Sequence, residues 1–237
     1  MSVRVLGPDD TPALEHFLKE HWETSMILRS NLRSAPIGES GRFAGIYAAT
    51  FDGARITNVA AYYPNYGNII LQAPTDVGAV ISKAAPLAEP INGILGPWDQ
   101  VEAAIAALGF EARNALHDGP EKLYTLELRD LKTPEILKNG TVRCRLARPE
   151  DMELMIEWRV AYSVEALSSP DDASARKQAG PSIAHAIENE DLFILESNKL
   201  LAMASYNAKL SDVVQIGGVW TPPDLRARGY GRAVTAG

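Results

Sequence analysis

Apolar residues in this chain recur at two spacings that alternate along its length. Val3 and Val5 alternate with Arg4, then Ala13, Leu14, Phe17 and Leu18 fall on one face of a 3.6-residue period. That pattern predicts a strand over 3–6, a turn at Pro8-Asp9-Asp10 with Asp9 or Asp10 as N-cap, and a helix after it. Segments 45–51 and 55–63 flank Asp52-Gly53, a strong two-residue turn signal, and predict a hairpin. A third strand is predicted over 68–73 before Pro74. Beyond it the pattern predicts a helix over 76–85, a short strand over 93–96, an alanine-rich helix over 99–108 capped by Gly109, and a last strand over 123–128.

The same order then returns. Val142, Cys144 and Leu146 lead to Pro149-Glu150-Asp151 and to the apolar Met152, Leu154, Met155, Ile156 and Trp158. Segments 192–196 and 200–206 flank Ser197-Asn198-Lys199, and a strand over 213–221 ends at Pro222. Pro8 to Pro149, Asp52 to Asn198 and Pro74 to Pro222 are offsets of 141, 146 and 148 positions. Three landmarks in one order at nearly constant spacing imply a duplicated domain. The boundary is expected in 131–140 (LKTPEILKNG), giving domains 1–138 and 139–237. The first half continues well past Pro74, whereas the second ends soon after Pro222. The expectation is a natural protein that runs on by about one more helix–strand–helix–strand set. Otherwise something else completes the final helix, or the repeat is accidental.

Composition narrows the class. Of 237 residues, 46% are hydrophobic and 22% charged, an ordinary globular mixture. No apolar run approaches the roughly 20 residues of a membrane span. The opening MSVRVLGPDD lacks the basic stretch and apolar core of a secretory signal. Cys144 is the sole cysteine, so no internal disulfide forms, and a cytoplasmic location is expected. A net charge of −7 argues against nucleic acid as a partner. The charge is uneven: 223–237 holds Arg226, Arg228 and Arg232 against Asp224 alone. A local basic cluster in an acidic chain suits a small anionic ligand.

The residues of that cluster follow a pattern. An apolar strand runs through Val219-Trp220-Thr221 to Pro222-Pro223, which cannot donate to a ladder. A turn follows, then a helix from about Gly229 with Tyr230, Ala233 and Val234 as apolar positions. Such a junction offers unpaired amides to an anion. Gly229 and Gly231 let an anion approach the backbone closely, and successive amides make a concave nest. The Rossmann fingerprint needs a third glycine and the P-loop needs Gly-Lys-Ser/Thr, and neither is present.

Arg226 to Gly231 instead read R-x-x-G-x-G after a strand and a proline. With V-W-T-P-P-D-L before and R-A-V after, the string resembles the acetyl-CoA signature of the GNAT family of N-acyltransferases. The resemblance implies an α+β (mixed α/β) chain: two GNAT-like folds in tandem, each a mostly antiparallel central sheet flanked by helices, the second incomplete. It implies a coenzyme A pyrophosphate on the amides of Arg226, Ala227, Arg228, Gly229, Tyr230 and Gly231, with the side chains of Arg226, Arg228 and Arg232 nearby. The backbone of Val219, Trp220 and Thr221 would pair with the pantetheine arm. The family's strand carries a bulge there, for which Gly217-Gly218 is the natural place, and the Val219 amide becomes the candidate donor to the thioester carbonyl.

The implied chemistry is attack of an amine on an acyl thioester, with acetyl-CoA as co-substrate, no metal, and a small-molecule amine or peptide as acceptor. Many members place a glutamate on the strand before the turn. Val213-Val214-Gln215-Ile216 has no carboxylate, so no catalytic residue is assigned. Tyr206 and Asp212 are weak candidates for which hairpin packing and a turn role compete. The resemblance ties the stretch 165–176 to the acceptor, and there Asp171 and Asp172 either attract a cationic amine or cap a helix at Ala173. Cys144 has no histidine near it, and His16, His21, His117 and His185 lack metal-ligand spacing. In the first half the turn after Pro74 reads Thr75-Asp76-Val77-Gly78, and Asp76 would repel a pyrophosphate. That half keeps a resemblance to the family's later helix in its AAIAALGF stretch, so a scaffold or acceptor-binding role is expected for it. The leading expectation is an N-acetyltransferase. Behind it stand a non-catalytic acyl-CoA-binding or regulatory module, and an acyl-transfer enzyme acting on a charged carrier RNA, against which the net charge counts.

Overall fold

The computed structural model describes residues 2–110, 115 and 117–237. It is a mixed α+β chain with two sheets, each flanked by helices. Two compact units divide it: Met1–Glu121 with Leu210–Asp212, and Lys122–Lys209 with Val213–Gly237.

The first unit's sheet has the order β1 (Ser2–Val5), β2 (Ile46–Asp52), β3 (Arg55–Tyr63), β4 (Asn68–Gln72) and β5 (Gly93–Leu95). All its pairs are antiparallel except β4 with β5. Strand alternation splits the core by face. Tyr47, Ala49 and Phe51 pack with Leu14, Phe17 and Leu18 of α1 (Thr11–Glu20) and Leu28 and Leu32 of α2 (Met26–Ser34). Ala48, Ala60 and Tyr62 pack on the other side with Val80 and Ile81 of α3 (Val77–Ala84) and Ala104 of α4 (Trp98–Leu108).

Two local expectations are corrected. The β2–β3 turn is Gly53-Ala54, not Asp52-Gly53: a register shift at Thr50/Phe51 sets Asp52 opposite Arg55, and Gly53 takes φ 60°. The strand over 123–128 does not form. Residues 121–127 have no regular structure and Leu128–Asp130 is a 3-10 turn. Tyr124 and Leu128 are 82% and 83% exposed. Alternation makes a strand only where a ladder partner stands beside it, and among the described residues this segment has none.

The second unit's sheet is antiparallel throughout, in the order β6 (Arg143–Leu146), β7 (Leu192–Glu196), β8 (Leu200–Lys209), β9 (Val214–Trp220). Met155, Ile156 and Trp158 of α6 (Met152–Leu167) and Ile183 of α7 (Ala173–Glu188) cover the face formed by Leu192, Ile194 and Met203. Ala233 and Val234 of α8 (Tyr230–Ala236) cover the other with Leu195, Ala202 and Leu225. In the stretch expected to be the boundary, α5 (Glu135–Lys138) puts Ile136 and Leu137 on this second core.

Both units open in the same way. Asp10 does not cap α1 with its side chain. It accepts from the Gly7 amide at 2.8 Å and from both Arg4 nitrogens at 2.6 Å. Asp151 repeats this, accepting from the Arg148 amide at 2.8 Å and from Arg145 at 2.7 and 3.0 Å. A bidentate guanidinium–carboxylate pair thus ties the first strand to the helix start in each unit.

Candidate functional site

The site lies where β9 meets α8. Among the described residues β9 is the free edge of its sheet, because β8 pairs with it on one side only. Its register against β8 breaks between Met203 and Ser205. Met203 faces Trp220 while Ser205 faces Gly217, so β9 carries one extra residue. This is the bulge expected at Gly217-Gly218. Gly218 adopts φ 58°, and a β-carbon on it would lie 2.7 Å from Ser205 Oγ. A side chain at this position would be both strained and crowded.

Pro222 and Pro223 end the strand, and Pro223–Leu225 forms a 3-10 turn with Leu225 buried at 5% exposure. Arg226 returns to extended backbone, then Ala227 and Gly229 take φ 61° and 78°. Two left-handed residues so close together turn the chain sharply into α8. The first hydrogen bond inside α8 runs from the Ala233 amide to the Gly229 carbonyl at 2.9 Å. The amides of Tyr230, Gly231 and Arg232 therefore precede any intrahelical acceptor. A β-carbon on Gly229 would meet nothing within 4 Å, so the space in front of the turn is open.

The three arginines divide into two kinds. Arg226 turns back onto the protein. It makes a two-pronged pair with Glu165 at 2.9 Å, donates to the Thr221 carbonyl at 3.0 Å, and lies 4.7 Å over the Trp220 ring. The Glu165 carboxylate pushes its pKa above the ordinary guanidinium value. It braces the turn against α6 and the strand end. Arg228 and Arg232 are exposed and, among the described residues, in no ion pair; Arg228 reaches only the Asp224 carbonyl, at 3.4 Å. The diffuse positive charge at the turn thus comes from these two.

A cavity of about 440 Å³ lies beside the strand end, walled by Val160, Ala161, Val164 and Trp220, by the carboxylates Glu157, Glu165 and Asp171, and by Arg176. The stretch 165–176, expected to bear on the acceptor, supplies Glu165, Asp171 and Arg176 to this wall, whereas nothing in the sequence pointed to Glu157. Glu157 lies on α6 with no motif around it, and only the packing of α6 over β9 brings it here. Asp172 accepts from the amides of Ser174 and Ala175 at 2.8 and 3.1 Å, so it caps α7, while Asp171 is left to the cavity.

The other candidates go elsewhere. Tyr206 packs its ring on Phe193 at 4.9 Å, and Asp212 sits exposed between β8 and β9. Cys144 is half-buried and burial raises its thiol pKa, which disfavours a nucleophile. His16 and His117 neighbour Glu20 and Glu121, His21 packs on Phe17, and His185 bonds Asn189. Among the described residues no cluster of potential ligands is arranged to hold a metal, and no helix is long and apolar enough to cross a membrane.

No protein-family model matches the chain, and no curated protein matches it. Solved structures are similar to it in part. A predicted acetyltransferase with acetyl-CoA from Clostridium acetobutylicum is 18% identical over 40% of this chain and 68% of that one, with a TM-score of 0.32. A GNAT-family acetyltransferase from Bacillus cereus is 17% identical over 40% of this chain and 59% of its own, with a TM-score of 0.28. A GNAT-family acetyltransferase from Colwellia psychrerythraea is 11% identical over 99% of this chain and 83% of its own, with a TM-score of 0.46.

Proposed function

We propose that this chain is a GNAT-type N-acyltransferase that takes an acyl group from acetyl-CoA to a primary amine of a small-molecule or peptide acceptor. One observation carries the reading: a bulged edge strand runs directly into a glycine turn in which, among the described residues, the amides from Ala227 to Gly231 have no acceptor, and whose front is open.

The donor set fits a diphosphate. The Arg226 amide donates to the Pro223 carbonyl at 3.4 Å, so the amides from Ala227 to Gly231, with Arg228 and Arg232 beside them, would hold it. Arg226 serves indirectly, holding the turn in shape through Glu165 and Trp220. The free edge at Val219, Trp220 and Thr221 offers backbone groups to an extended arm carrying amides. Acetyl-CoA, when bound, supplies the acyl thioester. The Val219 amide is the candidate donor to its carbonyl, a role worth about 2.7–4 kcal/mol in barrier. Holding both reactants converts a bimolecular step to an effectively unimolecular one. On the cavity wall Glu165 is paired with Arg226 and Arg176 with Glu153, which leaves Glu157 and Asp171 to favour an acceptor that arrives as a cation.

We read the two units as copies of one ancestral domain, the first without the coenzyme site. The matched Arg4–Asp10 and Arg145–Asp151 pairs and the shared strand order support this. A second reading, a non-catalytic acyl-CoA-binding or regulatory module, is favoured by the absence of a carboxylate from Val214–Trp220.

Calorimetric titration with coenzyme A tests the site. Binding to the wild-type chain is expected, and Gly229→Asp is expected to weaken it by at least about tenfold through added bulk, backbone strain and charge. Equal affinity for both proteins removes the ligand from this turn. Thiol release from acetyl-CoA across a panel of amines then separates enzyme from binding module.

A further inference from the structure

Arg159 is a charge without a counter-charge. It follows the buried Trp158 on α6, and its guanidinium reaches the bulge of β9. A β-carbon built on Gly218 would lie 3.5 Å from Arg159 Nη1 and 2.7 Å from Ser205 Oγ. Ser205 donates to the Gly217 carbonyl at 3.2 Å. The Tyr162 ring flanks the guanidinium at 5.2 Å. Among the described residues Arg159 has no ion pair and no hydrogen-bond acceptor. Arg145 is matched with Asp151 and Glu196, Arg176 with Glu153 and Arg226 with Glu165, while the unmatched Arg228 and Arg232 lie exposed to water. Burial lowers the Arg159 pKa from the ordinary guanidinium value, with no acid to restore it.

Arg159 is half-buried, partial burial without a counter-charge disfavours its charged form, and an arriving anion offsets that cost. A guanidinium presents a planar fork of donors that fits a carboxylate in two-pronged fashion. Here Arg159 Nη1 lies beside Gly218, where the strand's own ladder is interrupted. The cavity carboxylates Glu157 and Glu165 project from another stretch of the α6 circumference than Arg159.

We propose that Arg159 is a specificity-determining residue that receives a substrate carboxylate at the β9 bulge. This rests on the acyltransferase reading of the same strand. The carboxylate belongs either to the acyl chain, as in a dicarboxylic acyl thioester, or to the acceptor, as in an α-amino acid.

Two matched pairs of probes distinguish these sources. Succinyl-CoA and butyryl-CoA differ in bearing a carboxylate or a methyl at the chain end. A set of α-amino acids, each against its own carboxamide, does the same for the acceptor. In calorimetry on the wild-type chain, the carboxylate member of one pair is expected to bind about tenfold tighter, the range of a hydrogen-bonded charge. Arg159→Met is expected to abolish that preference and Arg159→Lys to keep part of it. Arg159→Met is also expected not to lower the thermal midpoint, because it removes an uncompensated charge; a purely structural arginine would lower it. No preference in either pair, or a preference that survives Arg159→Met, overturns the proposal. Failure of coenzyme A itself to bind sinks the underlying reading instead, and the amino-acid pair, run without it, still decides the role of Arg159.

Discussion

The turns that follow β4 and β9 begin alike and end differently. Each comes after a strand that closes on a proline, and each leads into a helix. After β4 the amides are already taken. Asn58, fully buried on β3, accepts from the amides of Thr75 and Asp76 at 2.9 and 3.0 Å, and the Asp76 carboxylate accepts from Ala79 at 2.9 Å. After β9 no side chain fills that role, and glycine stands where Asp76 would sit. The strands differ as well: β3 and β4 keep register along their whole length, while β8 and β9 break it twice. A helix start becomes an anion site only when the protein withholds its own acceptors from it. The first unit spends those amides on its own stability and the second leaves them open.

That contrast is open to attack at several strengths. The largest effect is expected from Asn58→Ala. It leaves the part-buried amides of Thr75 and Asp76 and the Thr50, Thr57 and Thr75 hydroxyls short of a partner, and should cost about 3 kcal/mol in denaturant unfolding. It should not confer coenzyme A binding on the first unit, since Asp76 remains; a gained site there would break the comparison. Gly218→Ala should cost about 2 kcal/mol, from left-handed strain and the clash with Ser205 Oγ. It should also weaken coenzyme A, and undiminished affinity would show that the bulge is not part of the site.

The smallest effect concerns what the units share. Arg4 holds the Asp10 carboxyl down to about 2, from an ordinary 3.8. A carboxyl lowered on folding stabilises fully above its unfolded value, and the gain is lost as pH falls through the folded one. The stability gap between wild type and Arg4→Ala should therefore be constant at neutral pH and close between about pH 4 and 2. Arg145→Ala should show the same direction, through Asp151 and Glu196, both lowered by Arg145. A gap independent of pH in an acid titration would deny the pair its role in folding.

Much of the scaffold was legible in the residues. Apolar runs bounded by turn residues and prolines placed eight strands, those of the two hairpins, the first strands and the strands before Pro74 and Pro222, because a strand covered on both faces reads as a near-continuous apolar stretch. The glycine pair at 217–218 announced the bulge, and R-x-x-G-x-G announced the turn, since backbone at positive φ leaves glycine as its trace. Local reasoning failed at 123–128, where alternation lacked a partner edge. It also could not show that Arg226 would turn back to Glu165, sixty-one positions earlier, nor that Glu157 and Asp171 would share a cavity wall, nor that Arg159 would meet the bulge with no acid beside it. Periodicity and turn chemistry act between neighbours in sequence and are written there. Which charges are matched, which amides stay free and which side chains face one another depend on the packing of α6 across β9, and only the folded chain decides that.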